Sequence, residues 1–151
     1  MAVAVREVRA YSSAPADAAG TLVDLSDPEV RRRLAPAAVT GVLAIASQWQ
    51  ITDKDLVALL GESISIPTLR RWRKTPPASM SVDQLERCSL LAGIHLALNI
   101  ILSSENANRW VKTPNSGPLY GDRPPLEFMI HGRMAALQAT RRHLDGVRGG
   151  Q

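Results

Sequence analysis

Arg70, Arg71, Arg73 and Lys74 fill four of the last five positions of the segment 65–74, which contains no acid. Cations grouped this way suit phosphate, because each phosphate they neutralise releases a condensed counterion. The arginines add a planar fork of donors that matches a pair of phosphate oxygens. Ser65 and Thr68, earlier in the same segment, add hydroxyls that could reach base edges or backbone oxygens. These six residues are candidate DNA contacts. A solvated helix face carries similar charges, so charge alone leaves both readings open.

Other chemistries lack their parts. Cys88 is the single cysteine, so an internal disulfide or a thiolate metal cage is not expected. His95, His131 and His143 fall at no metal-ligand spacing. The chain has no GxxxxGK[ST] or GxGxxG phosphate loop and no GxSxG elbow. The expectation is a protein that is not an enzyme, with no catalytic residues, no metal and no cofactor.

The 151 residues are 45% hydrophobic and 21% charged, a balance that supports a folded core and rules out wholesale disorder. The net charge of +4 is unevenly spread. Residues 1–35 are balanced, 36–80 carry five basic and three acidic side chains, and 81–151 carry eight and six. The start of the chain lacks the cationic-then-apolar order of a secretory signal. The most apolar window, 88–102, includes His95 and Asn99 and falls short of the about 20 apolar residues that a membrane span needs. A cytoplasmic protein with no membrane contact is expected.

Helical texture supplies the scaffold for the cationic segment. Residues 1–26 are Ala-, Ser- and Pro-rich and read as a flexible arm. Asp27 caps a helix with Pro28 at its first position, and DPEVRRRL is expected to stop before Pro36. Val39, Val42, Leu43, Ala46 and Trp49 then form an apolar stripe. Thr52 and Asp55 make a capping box for a helix that Gly61 ends. Pro67 opens another helix to Lys74, and TPPAS breaks it. A long apolar helix runs from Met80 or Ser81 to about Ser103, followed by a brief one from Glu105 to Val111. The Pro- and Gly-rich stretch KTPNSGPLYGDRPP is a loop. Two short helices close the chain, near 125–130 and 133–145, with VRGGQ as a flexible end. No segment shows strand alternation, so the class is all-α.

The segment TDKDLVALLGESISIPTLRRWRK has the organisation of a helix-turn-helix. Leu56, Leu59 and Leu60 form the inner face of its first helix, and Gly61 provides the positive φ of the turn. Leu69 and Trp72, three apart, form the inner face of the second, leaving the six candidate DNA contacts outside. The segment resembles the Xre/Cro-type repressor domain, whose usual pattern is LxxxLGxSxxTLxRW. Here the interval from Gly61 to Thr68 is two residues longer.

A second constellation is ANRWVKTPNSGPLYGDRPPLEFMIHG. On physical grounds Trp110 is expected to bury a large surface, and Pro114 to end the short helix. Asn115 suits a turn, and Pro125 the first turn of the next helix. The stretch resembles the signature of the antitoxin family variously called Xre, ParS or MbcA, which has a C-terminal toxin-binding domain. Trp110, Pro114, Asn115, Gly121, Pro125, Leu126, Glu127 and Gly132 match its motif in order, and Leu137 and Leu144 supply the apolar positions of the final helix. The resemblance covers about residues 80–146 and, with the Xre-like region, extends towards residue 36. GPLYGD departs from it, since a shorter LGG-like loop is common there.

The resemblance implies an organisation and a function. It implies a flexible arm (1–26), an Xre-like helix-turn-helix domain (27–80) and a toxin-binding and dimerisation domain (81–151), with the long central helix shared. It implies an antitoxin that binds and occludes a cognate NAD-using RES-domain toxin, represses its own operon through operator DNA, and forms a homodimer. The apolar surround of the long helix, more than one small core would cover, suits a dimer, the alternative being a central helix wrapped by neighbours within one monomer. The toxin-facing residues are then Trp110, Pro114, Asn115, Gly121, Pro125 and Leu126. Arg148, Gly149, Gly150 and Gln151 complete them as a plug on a helix that frays after Asp145. The alternative is a free-standing Xre-type transcriptional regulator without a toxin partner.

Overall fold

The computed structural model describes residues 23–150, so the arm assigned to 1–26 lies mostly outside the described residues, as does Gln151. Helix α1 spans Pro28–Trp49. The Asp27 carboxylate accepts the Glu29 N–H at 2.9 Å and Pro28 takes the first position, where a missing N–H costs nothing. The expected stop before Pro36 does not occur, and α1 runs through it. An interior proline costs about 3 kcal/mol. Ala35, Val39, Val42, Ile45, Ala46 and Trp49 are buried on both sides of it, and each large apolar side chain returns about 1.5–3 kcal/mol. Pro36 and Arg32 are both exposed, so water can serve the Arg32 carbonyl that Pro36 leaves unbonded.

Helices α2 (Asp53–Leu59) and α3 (Ile66–Lys74) follow, joined by a turn. Thr52 and Asp55 exchange the two bonds of a capping box at 3.1 and 3.2 Å. Helix α4 (Val82–Ile101) opens with the same device, made by Ser81 and Gln84. Helix α5 (Ser104–Trp110) is capped by Ser103. Element α6 (Pro125–Arg148) is the two expected helices meeting at a kink at Arg133, where φ is 55° and ψ is −142°. Gly132 sits beside that kink because a Cβ there would lie 2.5 Å from the Ala136 Cβ. The expected fraying after Asp145 is not seen, and α6 continues to Arg148. Asp145 pairs with Arg141 and, at 3.3 Å, with Arg148, and Arg148 lies in the last turn, where the macrodipole favours a cation.

Among the described residues there are six helices and no strand, so the fold is all-α. Helix α4 is the centre, with its largest contacts to α1 and α6. Leu91, Ile94, Ala97 and Leu98 are buried between them. Most of the apolar surround of α4 is covered within one chain, while Val82 and Ile100 at its two ends stay exposed. Helix α2 also touches α6, and α3 touches α1, which ties the helix-turn-helix to both neighbours of α4. Among the described residues no helix is long and apolar enough to cross a membrane.

Two glycines should respond oppositely to alanine. Gly61 has φ +81°, and an added Cβ would meet the Arg87 Nε at 2.9 Å. Gly61→Ala should lose at least about 1–2 kcal/mol from the left-handed backbone alone. Gly41 lies inside α1 with nothing within 4 Å, so Gly41→Ala should gain about 0.5–1 kcal/mol. Thermal denaturation of the two variants reads both signs. Equal melting temperatures would mean that the turn is not formed as described.

Candidate functional site

The cationic face is built on α3. Leu69 and Trp72 are buried, which turns Arg70, Arg71, Arg73 and Lys74 outward, all exposed. Ser65 is the N-cap: its hydroxyl accepts the Thr68 N–H at 3.2 Å and lies 3.0 Å from the Thr68 hydroxyl. Both hydroxyls are thus already engaged in starting the helix. Arg71 reaches the Thr68 hydroxyl at 3.5 Å.

A carboxylate that the spacing did not reveal faces this surface. Asp53, at the first position of α2, accepts from both terminal nitrogens of Arg73, with Nη1 to Oδ2 at 3.1 Å. Arg70 Nε lies 3.6 Å from the same Oδ2. The Arg73 hydrogen bond, above all, holds the Asp53 carboxyl below its ordinary range, and Asp53 in turn raises the pKa of Arg73. Among the described residues Arg71 and Lys74 have no carboxylate partner. The set of six therefore divides into two capping hydroxyls, two arginines on Asp53, and two cations open to solvent. Asp53 is 20 positions from Arg73, beyond the reach of any helical-periodicity rule.

Beneath the turn lies Arg87 of α4, buried, with its Nε donating to Asp83 at 2.8 Å and its Nη1 to the Leu59 carbonyl at 3.4 Å. Its guanidinium occupies the space that a side chain at position 61 would need. The turn thus requires glycine for two reasons, its positive φ and this close approach. Gln84 adds a bond to the Ser63 hydroxyl at 2.9 Å. The first turns of α4 therefore hold the turn of the helix-turn-helix from below.

The second constellation forms a compact loop on α6. Asn115 donates to the Arg123 carbonyl at 3.1 Å and accepts the Asp122 N–H at 2.9 Å, while its side-chain oxygen accepts the Gly117 N–H at 2.8 Å. Gly121 supplies φ +60° in this turn. Leu126 N–H bonds the Val111 carbonyl at 2.8 Å, fastening the start of α6 to the end of α5. The departure GPLYGD contributes the centre of the assembly. Tyr120 is fully buried, with rings of Trp110, Phe128 and His143 edge-on at 5.6, 5.3 and 5.6 Å. Burial pushes its phenol pKa up, and the Thr140 hydroxyl beside it opposes that shift.

The expected toxin-facing residues are not equally placed. Pro114, Gly121, Gly149 and Gly150 are exposed, and Asn115 is half-buried. Trp110 is only half-buried, a correction to its expected burial, because it lies over Tyr120 rather than inside the core. Pro125 and Leu126 are buried, so they support the surface more than they form it. The Arg148 side chain is 19% exposed and tied to Asp145, so it extends α6 rather than leading a loose end. Through Tyr120 the loop meets His143, five residues before Arg148, or about 7–8 Å along the helix axis. Tyr120 carried one signal in the sequence, as the only aromatic residue of a Pro- and Gly-rich loop.

Among the described residues no group of three or more His, Cys, Asp or Glu side chains could hold a metal ion. Cys88 is buried, and desolvation pushes its thiol up to about 12, which keeps it protonated near neutral pH.

Of the two aromatics Tyr120 and Trp110, the larger loss should follow Tyr120. Tyr120→Ala is expected to cost about 3–5 kcal/mol, as for other large buried aromatics, and to abolish near-ultraviolet circular dichroism from the cluster. Trp110→Ala should cost less. Chemical denaturation ranks the two, and a greater loss at Trp110 would contradict the central place of Tyr120.

Residues 28–93, from the start of α1 into α4, match the family described as the antitoxin Xre-like helix-turn-helix domain. The chain is also similar to the uncharacterized protein y4oB of Sinorhizobium fredii (strain NBRC 101917 / NGR234). The two are 30% identical over 126 residues, covering 83% of this chain and 95% of y4oB.

Proposed function

The chain belongs to the family of the Sinorhizobium fredii protein y4oB and carries an antitoxin Xre-like helix-turn-helix domain, and we propose that it is the antitoxin of a toxin–antitoxin pair. In this reading residues 27–80 bind operator DNA through the outer face of α3. Residues 81–151 dock on a NAD-using RES-domain toxin and block its active site. The protein acts by binding, with no chemistry of its own, as a homodimer in the cytoplasm. The observation that carries the reading is the pairing of two modules on one helix. Helix α4 supports the helix-turn-helix through Arg87 and also packs against α6, on which the Tyr120 loop is built.

Each module has a stated task. Arg71 and Lys74 meet phosphates, with Ser65 and Thr68 holding the start of α3 against the DNA. Arg70 and Arg73 add phosphate contacts when released from Asp53. On the other module, the exposed edge of Trp110 with Pro114, Asn115 and Gly121 forms the docking face over buried Pro125 and Leu126. Arg148 ends the rigid helix, and Gly149, Gly150 and Gln151 enter the toxin cleft, since two residues without side chains can pass where a bulkier chain cannot.

The test is NAD turnover by a RES-domain toxin encoded beside this gene, with saturating full-length antitoxin or a chain stopped after Asp145. The full chain should suppress turnover, and the shortened chain should bind the toxin more weakly and leave turnover largely intact. Equal inhibition by both would move the block from the tail to the docked face. Operator binding with no toxin binding at all would favour the regulator reading, which the cationic face of α3 supports by itself.

A further inference from the structure

The contact between Asp53 and the arginines of α3 has a consequence for DNA affinity. Asp53 uses both oxygens on the two terminal nitrogens of Arg73, the edge of the guanidinium that would otherwise take a phosphate. Its Oδ2 also lies 3.6 Å from Arg70 Nε. The neighbouring acid, Asp55, is engaged by the Thr52 N–H in the capping box. Asp53 is thus the carboxylate that crosses from α2 to α3, and it occupies guanidinium donors that a phosphate could otherwise use.

We propose that Asp53 is an internal stand-in for phosphate that restrains sequence-independent DNA binding by occupying Arg73 and Arg70. The inference rests on the reading of α3 as the DNA-contacting helix. Backbone affinity scales with the number of cations free to displace counterions. With Asp53 in place, Arg71 and Lys74 are the cations of α3 without a carboxylate partner among the described residues. The restraint is exchangeable, because an exposed ion pair is weak in water and a phosphate can replace the carboxylate. Arg73 then adds to binding only as far as phosphate outcompetes Asp53. Asp53 is a positioning residue, acting on DNA through the arginines it holds.

The test measures binding of the full chain to a labelled duplex of random sequence by fluorescence anisotropy across a salt series. Asp53→Asn should bind about five- to ten-fold more tightly at about 0.1 M salt, with the log–log salt slope steeper by about one. Arg73→Gln should change affinity little in the native chain, yet remove most of that gain in the Asp53→Asn background. This comparison within one background separates the restraint from any loss of folding, which melting temperatures record alongside. If the native chain binds, and Asp53→Asn binds equally or more weakly while Arg73→Gln costs the same in both backgrounds, the inference is overturned alone. If Arg71→Ala and Lys74→Ala leave binding to the duplex unchanged, the DNA reading of α3 is overturned, and the inference with it.

Discussion

The burial of α4 between α1 and α6 is the constraint on which the rest of the molecule depends. Leu91, Ile94, Ala97 and Leu98 lose nearly all contact with water there, each large side chain contributing about 1.5–3 kcal/mol. Neither outer helix could be moved without exposing that surface. The same apolar cluster takes in Leu25 at the start of the described chain and Leu144 near its end. Helices α2 and α3 are then held from outside the sandwich, α2 against α6 and α3 against α1. The helix-turn-helix is therefore braced by elements on both sides of the centre, and not appended to it.

Among the described residues the buried cations are each paired with a carboxylate. Arg87 is buried under the turn and keeps Asp83 beside it, as a desolvated guanidinium requires. Arg141 is buried on α6 with Asp145, which Arg148 also approaches. On α3 the surface is wet, and Asp53 partners Arg73 and Arg70 there while Arg71 and Lys74 face water. The two pairings differ in the burial of the cation, since Arg87 is buried and Arg73 is exposed.

The loop between α5 and α6 gains its shape from two kinds of contact. Backbone bonds around Asn115 close the turn, and Tyr120 closes the space beneath it by bringing three rings edge-on to its own. Arg123 adds its guanidinium over the Phe128 ring at 5.8 Å and donates to the Tyr120 carbonyl. A surface loop of this composition is thereby tied into a compact unit beside the later part of α6.

The sequence by itself determined the all-α class and most helix starts, because these depend on local chemistry. The caps at Asp27, Thr52 and Ser81, the glycine at 61 and the Leu69/Trp72 spacing act over three or four residues, and they stand where their residue types place them. The cationic run of α3 was equally legible. What the tertiary structure decided depended on neighbours distant in the chain. Helix α1 passes through Pro36 because burial on both sides outweighs the local penalty, which no local rule weighs. Tyr120 displaced Trp110 as the buried aromatic because α6 supplies Phe128 and His143 around it. Asp53 came to Arg73 across 20 positions, and Arg87 came to the Leu59 carbonyl across 28, because packing around α4 brings those elements together. Spacing rules end at a helical turn or two, whereas the contacts that set the electrostatics of this surface are made between helices.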